Sequence, residues 1–448
     1  MSRSLSIECE WLDEPGASDP VERRTWAMLR IVAGDRSVTR LLDRITESER
    51  QALFVPAFPI AHWLVANWWC LLHEPMRSEV LPAPTVFQHP AHRPWMLRHC
   101  LRASDSGLFL PRMFLYSNGP SVCVNWAADE EDAYPHMPGY FVESGLVCAE
   151  RDVVDVALRE FVSKVLSRLQ GSNAPQVKDL RQNWSAISEG DAEESAFCMA
   201  SAQMGLDPYS SDTWDAALVQ FLEHQVGDAL EEPLTRDFLE AATAPSAVAA
   251  WRWVADTTQS LGLQRRMPSR PRPPIGLTAN AATIGYSLAQ RTRGMAGLSA
   301  RAPVADLSSL AERLGWGSFS FEERNHLPPS SVRAAVGWRS DTEPVVAGPQ
   351  PGRSDSLRFL EARGLYHVLF GCEKGPRLVT EAHTWDQQAS RAFAAELLVP
   401  RDAILDRCAP DTNSQELDNI LATLAGEYQV STKVIEHQLE NSGISVSI

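Results

Sequence analysis

The chain has 448 residues, 44% of them hydrophobic and 22% charged, an ordinary balance for a globular protein with room for two or three domains. A formal net charge of −16 and a pI near 5.2 argue against direct nucleic-acid binding, because phosphate contacts need clustered Lys and Arg. The opening MSRSLSIECEWLDEP has no basic region followed by an apolar run, so no secretion signal is expected, and the eight scattered cysteines without a CxxC pair predict reduced, mostly buried thiols in a cytoplasmic protein, with neither a disulfide framework nor a Cys-based zinc site.

In chain order, SLSIECEWL alternates like a strand, and WAMLRIVAGDRSVTRLLDR predicts a strand, a turn at Gly34–Asp35, then a strand or helix. The apolar run Ile60 to Leu72 is too short to span a bilayer and contains His62 and Asn67, so Pro59 to His73 reads as a buried helix. Within it Trp63, Trp68 and Trp69 are expected to pack in a core and not to form a ligand cage. His89, His92 and His99 cluster in QHPAHRPWMLRH, but Pro90 and Pro94 argue against a helical face of metal ligands, leaving structural or loop histidines. GLFLPRMFLYSNGPSVCVNWAA predicts a hairpin turning at Asn118–Gly119. Glu22, Glu74 and the run Asp129, Glu130, Glu131, Asp132 read as solvated acids. Arg151 to Leu169 carries apolar residues at helical spacing.

A shift to Gln, Ser, Asn and Pro around residues 170–189 marks a boundary, and the sequence from Glu193 to about Gly262 is nearly all helical, a connector or protein-binding module. QRRMPSRPRPP follows. Its Arg265, Arg266, Arg270 and Arg272 form a small basic patch, but its prolines make an extended linker the better reading. The expected class is therefore an α+β multidomain chain: a mixed α/β domain over 1–170 with no motif tied to chemistry, a helical module over 171–274, and a C-terminal domain over 275–448. No P-loop, GxSxG or GxGxxG opening a helix is found, so nucleotide binding and serine hydrolysis have no support.

The C-terminal part predicts helices from Ala282 to about Arg293 and from Asp306 to Leu314, then strands in SFSFEERN and VRAAVGWRS. Arg358 to Gly371 reads RFLEARGLYHVLFG and Ala392 to Pro400 reads AFAAELLVP. The first is similar to the ImmA/IrrE metallopeptidase pattern RFTLAHELGHVLFG, and the second to that family's FAAELLMP signature. The closing LATLAGEYQVSTKVIEHQLENSGI resembles the family's tail, a helix, a turn with Ser431 as N-cap, and another helix. That last helix has one Lys, no Arg and two Glu, a poor surface for a DNA groove.

The resemblance implies a zincin-like C-terminal domain in which HExxH would present two histidines one turn apart to Zn²⁺ and a Glu to its water. It implies as well a peptidase acting on helix-turn-helix repressors or toxin partners, in stress or defence settings. This chain departs at the decisive places. Arg363 stands where the first His belongs, Gly364 where the catalytic Glu belongs, and of the motif His367 remains. The third-ligand carboxylate falls near Gln387, with Asp386 adjacent; His383 and Glu381 are the other local candidates for an improvised site. Glu361, six residues before His367, lies roughly 240° around the helix from it and points elsewhere. The expectation is a degenerate site with no catalytic residues and no cofactor, its weak metal candidates being His367, Asp386, His383 and Glu381. The helix is expected to be held by packing of Phe359, Leu365, Val368 and Leu369, against a cost of roughly 1 kcal/mol for Gly364. The chain then reads as a pseudopeptidase with a regulatory role toward a protein partner. An active zinc endopeptidase and a scaffold subunit are the alternatives. Arg363→His, Gly364→Glu and Gln387→Glu together are expected to restore zinc binding if this register is right.

Overall fold

The computed structural model describes residues 5–13, 16–76, 93–130, 136–137, 139–264, 280–325, 331–408 and 414–441. It is a mixed α/β chain whose contacts divide it into two compact units, Met1–Gly227 and Asp228–Ile448. The dividing line falls inside the segment that the sequence assigns to a helical module. His89, His92, Glu131, Asp132 and the Arg/Pro-rich run after Gln264 lie outside the described residues.

In the first unit, β1 (Leu5–Trp11), α1 (Pro20–Arg24), β2 (Trp26–Ala33), β3 (Arg36–Ser37), β4 (Leu41–Asp43), β5 (Ser48–Arg50) and β6 (Leu53–Pro56) come first. β1 pairs antiparallel with β2 from Leu5↔Ala33 to Trp11↔Ala27, and β3 and β6 join β2 on its other side. Alternate residues of β2, from Ala27 to Ala33, are buried, as a half-covered strand requires. They meet Val154, Leu158, Phe161, Val162 and Val165 of helix Arg151–Arg168 in one apolar core.

The single helix expected over Pro59 to His73 is two, α2 (Phe58–Ala66) and α3 (Trp68–His73). Asn67 breaks it at φ −114°: its side-chain amide donates to Trp63 O (2.9 Å), competing with the backbone ladder. Trp63, Trp68 and Trp69 are buried in the core as expected.

α4 (Arg93–His99) leads to the hairpin β7 (Arg112–Ser117) and β8 (Ser121–Ala127), turning at Asn118–Gly119, where Gly119 takes φ +82°. β9 (Gly139–Phe141) pairs with β4, and β10 (Gly145–Glu150) with β8. That last register corrects the expectation of reduced cysteines, because it sets Cys148 opposite Cys123 with Cα atoms 4.1 Å apart and the two form a disulfide. The partners are 25 residues apart and the sequence gives no register for β10, so spacing does not reveal the bond. Cys9, Cys70, Cys100, Cys198, Cys372 and Cys408 are free and buried.

The acids read as solvated include two that are buried. Glu74 is bonded to Arg98 (2.7 Å) and His99 (2.9 Å); burial works against its charge, but His99 and Arg98 beside it hold its carboxyl down at about 2. Asp129 is paired with Arg102 and Arg112. His99 is structural, its Nδ1 donating to Leu115 O. Helices α5 (Arg151–Arg168), α6 (Pro175–Glu189), α7 (Ala192–Gln203) and α8 (Ala216–Phe221) complete this unit.

The second unit opens with α9 (Pro233–Ala241) and α10 (Ala247–Ser260), followed by α11 (Ala281–Met295) and α12 (Leu307–Arg313). Strands β11 (Ser320–Glu323), β12 (Val332–Ser340), β13 (Glu343–Gly348) and β14 (Arg377–Thr380) form one sheet in the order β11-β13-β12-β14. β11 runs parallel to β13, and the other neighbours are antiparallel. α13 (Ser354–Phe370) lies between β13 and β14 in sequence; α14 (Trp385–Leu398), α15 (Arg401–Leu405), α16 (Ser414–Tyr428) and α17 (Thr432–Glu440) follow. α11 crosses α14 at Gly285, where a Cβ would overlap the Ala389 carbonyl, so glycine is what lets these backbones touch. The core joins Leu288 and Ala289 of α11, Val336 of β12, Leu365 and Tyr366 of α13 and Phe393 and Leu397 of α14.

Candidate functional site

α13 places Arg363 and His367 one turn apart on the same face, with Gly364 beside them. Arg363 is buried at 6% exposure. Its Nε donates to Ser390 Oγ (3.1 Å), and its Nη2 donates to Thr380 O (2.8 Å) and Gln387 Oε1 (2.8 Å). All three acceptors are neutral. Burial, with Arg391 and Arg333 adding to it, pushes the guanidinium pKa well below its usual value. The side chain ties α13 to α14 and β14 through hydrogen bonds.

Gly364 is where the helix meets the sheet: a Cβ there would overlap Val346 of β13. The sequence shows a glycine that weakens a helix; the structure adds that glycine sets how closely α13 approaches the strand. Any side chain at 364, a glutamate included, needs Val346 to give way at its Cβ. His367 is fully buried on the same face.

The remaining candidates are spread. Asp386, in the first turn of α14, accepts from Tyr366 OH (3.1 Å) and Arg377 Nη2 (3.0 Å). Gln387 is buried; its Oε1 accepts from Thr380 N (3.0 Å) besides Arg363, and its Nε2 donates to Leu378 O (2.8 Å). Glu381 is exposed and paired with Arg333. His383 is half-buried, and its carbonyl accepts from Gln388 Nε2.

As donors for a zinc ion these residues do not fit. A guanidinium bonded to Gln387 stands between the positions that would supply the first and third ligands, and Asp386 is committed to Arg377 and Tyr366. Among the described residues no group of three or more His, Cys, Asp or Glu is gathered in metal-binding geometry.

The second signature has a structural explanation. In AFAAELLVP, Phe393, Ala394, Leu397 and Leu398 fill the core, while buried Glu396 accepts from Gln290 Nε2 of α11 (3.0 Å) and from Arg401 N at the start of α15 (3.0 Å). Burial raises its pKa.

Sequence reasoning missed a second polar centre. Arg377, at the start of β14, donates from Nε (2.7 Å) and Nη2 (2.9 Å) to the carboxylate of Asp237 on α9, 140 residues away in sequence. Leu378 N donates to the same carboxylate (2.9 Å). Burial opposes the charge on Arg377, but Asp237 and Asp386 outweigh it and push its pKa well up. Glu240, one turn after Asp237, is buried at 7% exposure, and desolvation followed by the Asp237 charge raises its pKa to about 8. No local spacing signals a pairing over this separation.

Residues 359–440 match the model of the IrrE N-terminal-like domain, a metallopeptidase family. The C-terminal part of the chain thus carries a domain of the ImmA/IrrE type, in agreement with the resemblance read from RFLEARGLYHVLFG and FAAELLVP. No curated protein and no solved structure matches the chain. Among the described residues no helix is long and apolar enough to cross a membrane.

Proposed function

We propose that the chain is a catalytically degenerate ImmA/IrrE-like protein whose zincin-like C-terminal domain serves as a protein-interaction or regulatory module. The partner class is a repressor, toxin or complex subunit of a stress or defence system. The observation that carries this reading is the buried guanidinium of Arg363, hydrogen-bonded to Ser390, Thr380 and Gln387. Hydrolysis at a zincin site needs a dication at that point and a carboxylate one residue further along the helix. Here the first is replaced by a fixed cation and the second by a glycine packed on Val346. Retention of the apolar core around α13 and α14 supports a kept surface over a kept reaction.

Metal analysis of the purified chain tests the degenerate half of the reading. The expected result is substoichiometric zinc that is indifferent to His367→Ala. Stoichiometric zinc that disappears in that variant, with zinc-dependent cleavage of a protein substrate, would revive the peptidase. Recovery of a specific protein from native cells with the tagged chain tests the interaction half, and recovery of none by a folded chain would count against it.

A further inference from the structure

β1 is an end strand of its sheet: β2 pairs with it on one side, and among the described residues no strand pairs with it on the other. Leu12 N donates to Trp26 O, so in this register Leu12, Glu10, Glu8 and Ser6 turn their peptide groups toward β2. Ile7, Cys9 and Trp11 therefore present theirs to the outside. Cys9 O is taken there by a side chain, accepting from Lys164 Nζ of α5 (2.5 Å). The N–H of Cys9 and both peptide groups of Ile7 have no partner among the described residues.

The same alternation sorts the side chains. Leu5, Ile7, Cys9 and Trp11 face the core shared with α5, whereas Glu8 and Glu10 are exposed on the opposite face. A groove of about 440 Å³ follows this edge, lined by Ile7 to Glu10 and by Glu160, Phe161 and Lys164 of α5. It brings together open peptide groups, an apolar residue and three carboxylates. Glu8 has a cation at 3.8 Å, Arg30, and Glu10 has none among the described residues.

We propose that the outer edge of β1 docks an extended segment of a partner protein, added as an antiparallel strand, in which lysine or arginine alternates with apolar residues. Residues of that segment opposite Ile7 and Cys9 exchange peptide hydrogen bonds with them and turn their side chains toward α5. Those opposite Glu8 and Glu10 lie on the exposed face, where a cation directly across from each acid is favourable. A second copy of the chain is the poorer occupant. Pairing β1 with β1 antiparallel about Cys9 sets Glu8 opposite Glu10 twice, and like charges so placed repel. Lys164 guards the edge against indiscriminate pairing, and its flexible stem lets it leave Cys9 O when a matching strand arrives. The surface belongs to the first unit and does not rest on the reading of the C-terminal domain.

The test titrates the full chain with the blocked peptide acetyl-Val-Lys-Val-Lys-Val-amide, whose lysines fall opposite Glu8 and Glu10, in about 0.15 M salt. Wild type is expected to bind it at least about ten-fold more tightly than the counterpart with glutamate in place of lysine. The same margin is expected over the peptide N-methylated at every valine, which keeps the charge and cannot pair with the edge. Glu8→Gln/Glu10→Gln, a change confined to exposed side chains, should remove the preference for lysine over glutamate. Lys164→Met, which frees Cys9 O, should bind several-fold more tightly than wild type. Affinity that survives N-methylation, a lysine preference that survives the double variant, or no gain in Lys164→Met would overturn the site. A dimer in sedimentation that the peptide dissociates would also overturn the proposal, by showing a second copy on the edge.

Discussion

Two buried arginines in the C-terminal unit, at 6% and 7% exposure, show opposite solutions to the same problem. Arg377 lies between the carboxylates of Asp237 and Asp386, and its pKa rises. Arg363 bonds two side-chain oxygens and a carbonyl, and its pKa falls. The first is an ion-pair network joining α9 to β14; the second is a guanidinium held by neutral oxygens of α14 and β14. Each variant below widens or closes that contrast.

The largest effect is expected from Arg377→Met. It leaves buried Asp237 and half-buried Asp386 without their cation, and breaking a buried pair on one side costs about 3–5 kcal/mol. Denaturant unfolding reads this directly, and a loss under about 1 kcal/mol would place the network's worth near that of a surface pair.

Glu240→Gln comes next and adds a pH signature. The folded carboxyl has its pKa raised to about 8 from an ordinary 4.5, so the folded state holds a proton that the unfolded chain releases. Stability from this group is therefore highest below the unfolded pKa and falls as pH rises through the window between the two values, by up to ~1.4 kcal/mol per unit. The amide cannot ionise. Glu240→Gln should match wild type near pH 4 and exceed it by ~2–3 kcal/mol at neutral pH, with a flatter pH profile. Parallel profiles would mean that Glu240 is ionised in the folded chain.

Gly364→Ala separates two effects of similar size. Helix propensity favours alanine by about 1 kcal/mol. Overlap of its Cβ with Val346 costs roughly 1–3 kcal/mol, and the packing is expected to win, giving net destabilisation. Val346→Ala in the same chain should recover the loss; a stabilised single variant would show that α13 does not touch the strand at that point.

These contrasts also mark what the sequence makes legible. α11, α13 and α14 are readable because apolar residues recur at helical spacing and because two contiguous signatures survive around His367 and Glu396. The replacement at Arg363 is readable too, since it is a change of residue type inside a fixed register. Its bonds are not, because Ser390, Gln387 and Thr380 reach it from two other elements. Strands β13 and β14 are six and four residues long, with burial on both faces, and carry no alternation to betray them. Asp237 with Arg377, and Cys123 with Cys148, are pairings across folded distance. They depend on docking and register, which no window of sequence contains.

The smallest effect is expected from Arg363→Met, and it bears most on function. None of its three acceptors depends on the guanidinium alone. Thr380 O also accepts from Arg391 (3.4 Å), Gln387 Oε1 from Thr380 N (3.0 Å), and Ser390 Oγ donates to Gln387 O (2.8 Å). Removing the cation therefore relieves its desolvation while leaving these oxygens satisfied, and an apolar side chain of similar length fills the volume. Stability should change by less than about 1 kcal/mol, in either direction. If Arg363→Met instead unfolds as readily as Arg377→Met, then the neutral hydrogen bonds of Arg363 hold α13 to α14 and β14 as firmly as the ion pairs of Arg377 hold α9, and the contrast between the two arginines disappears.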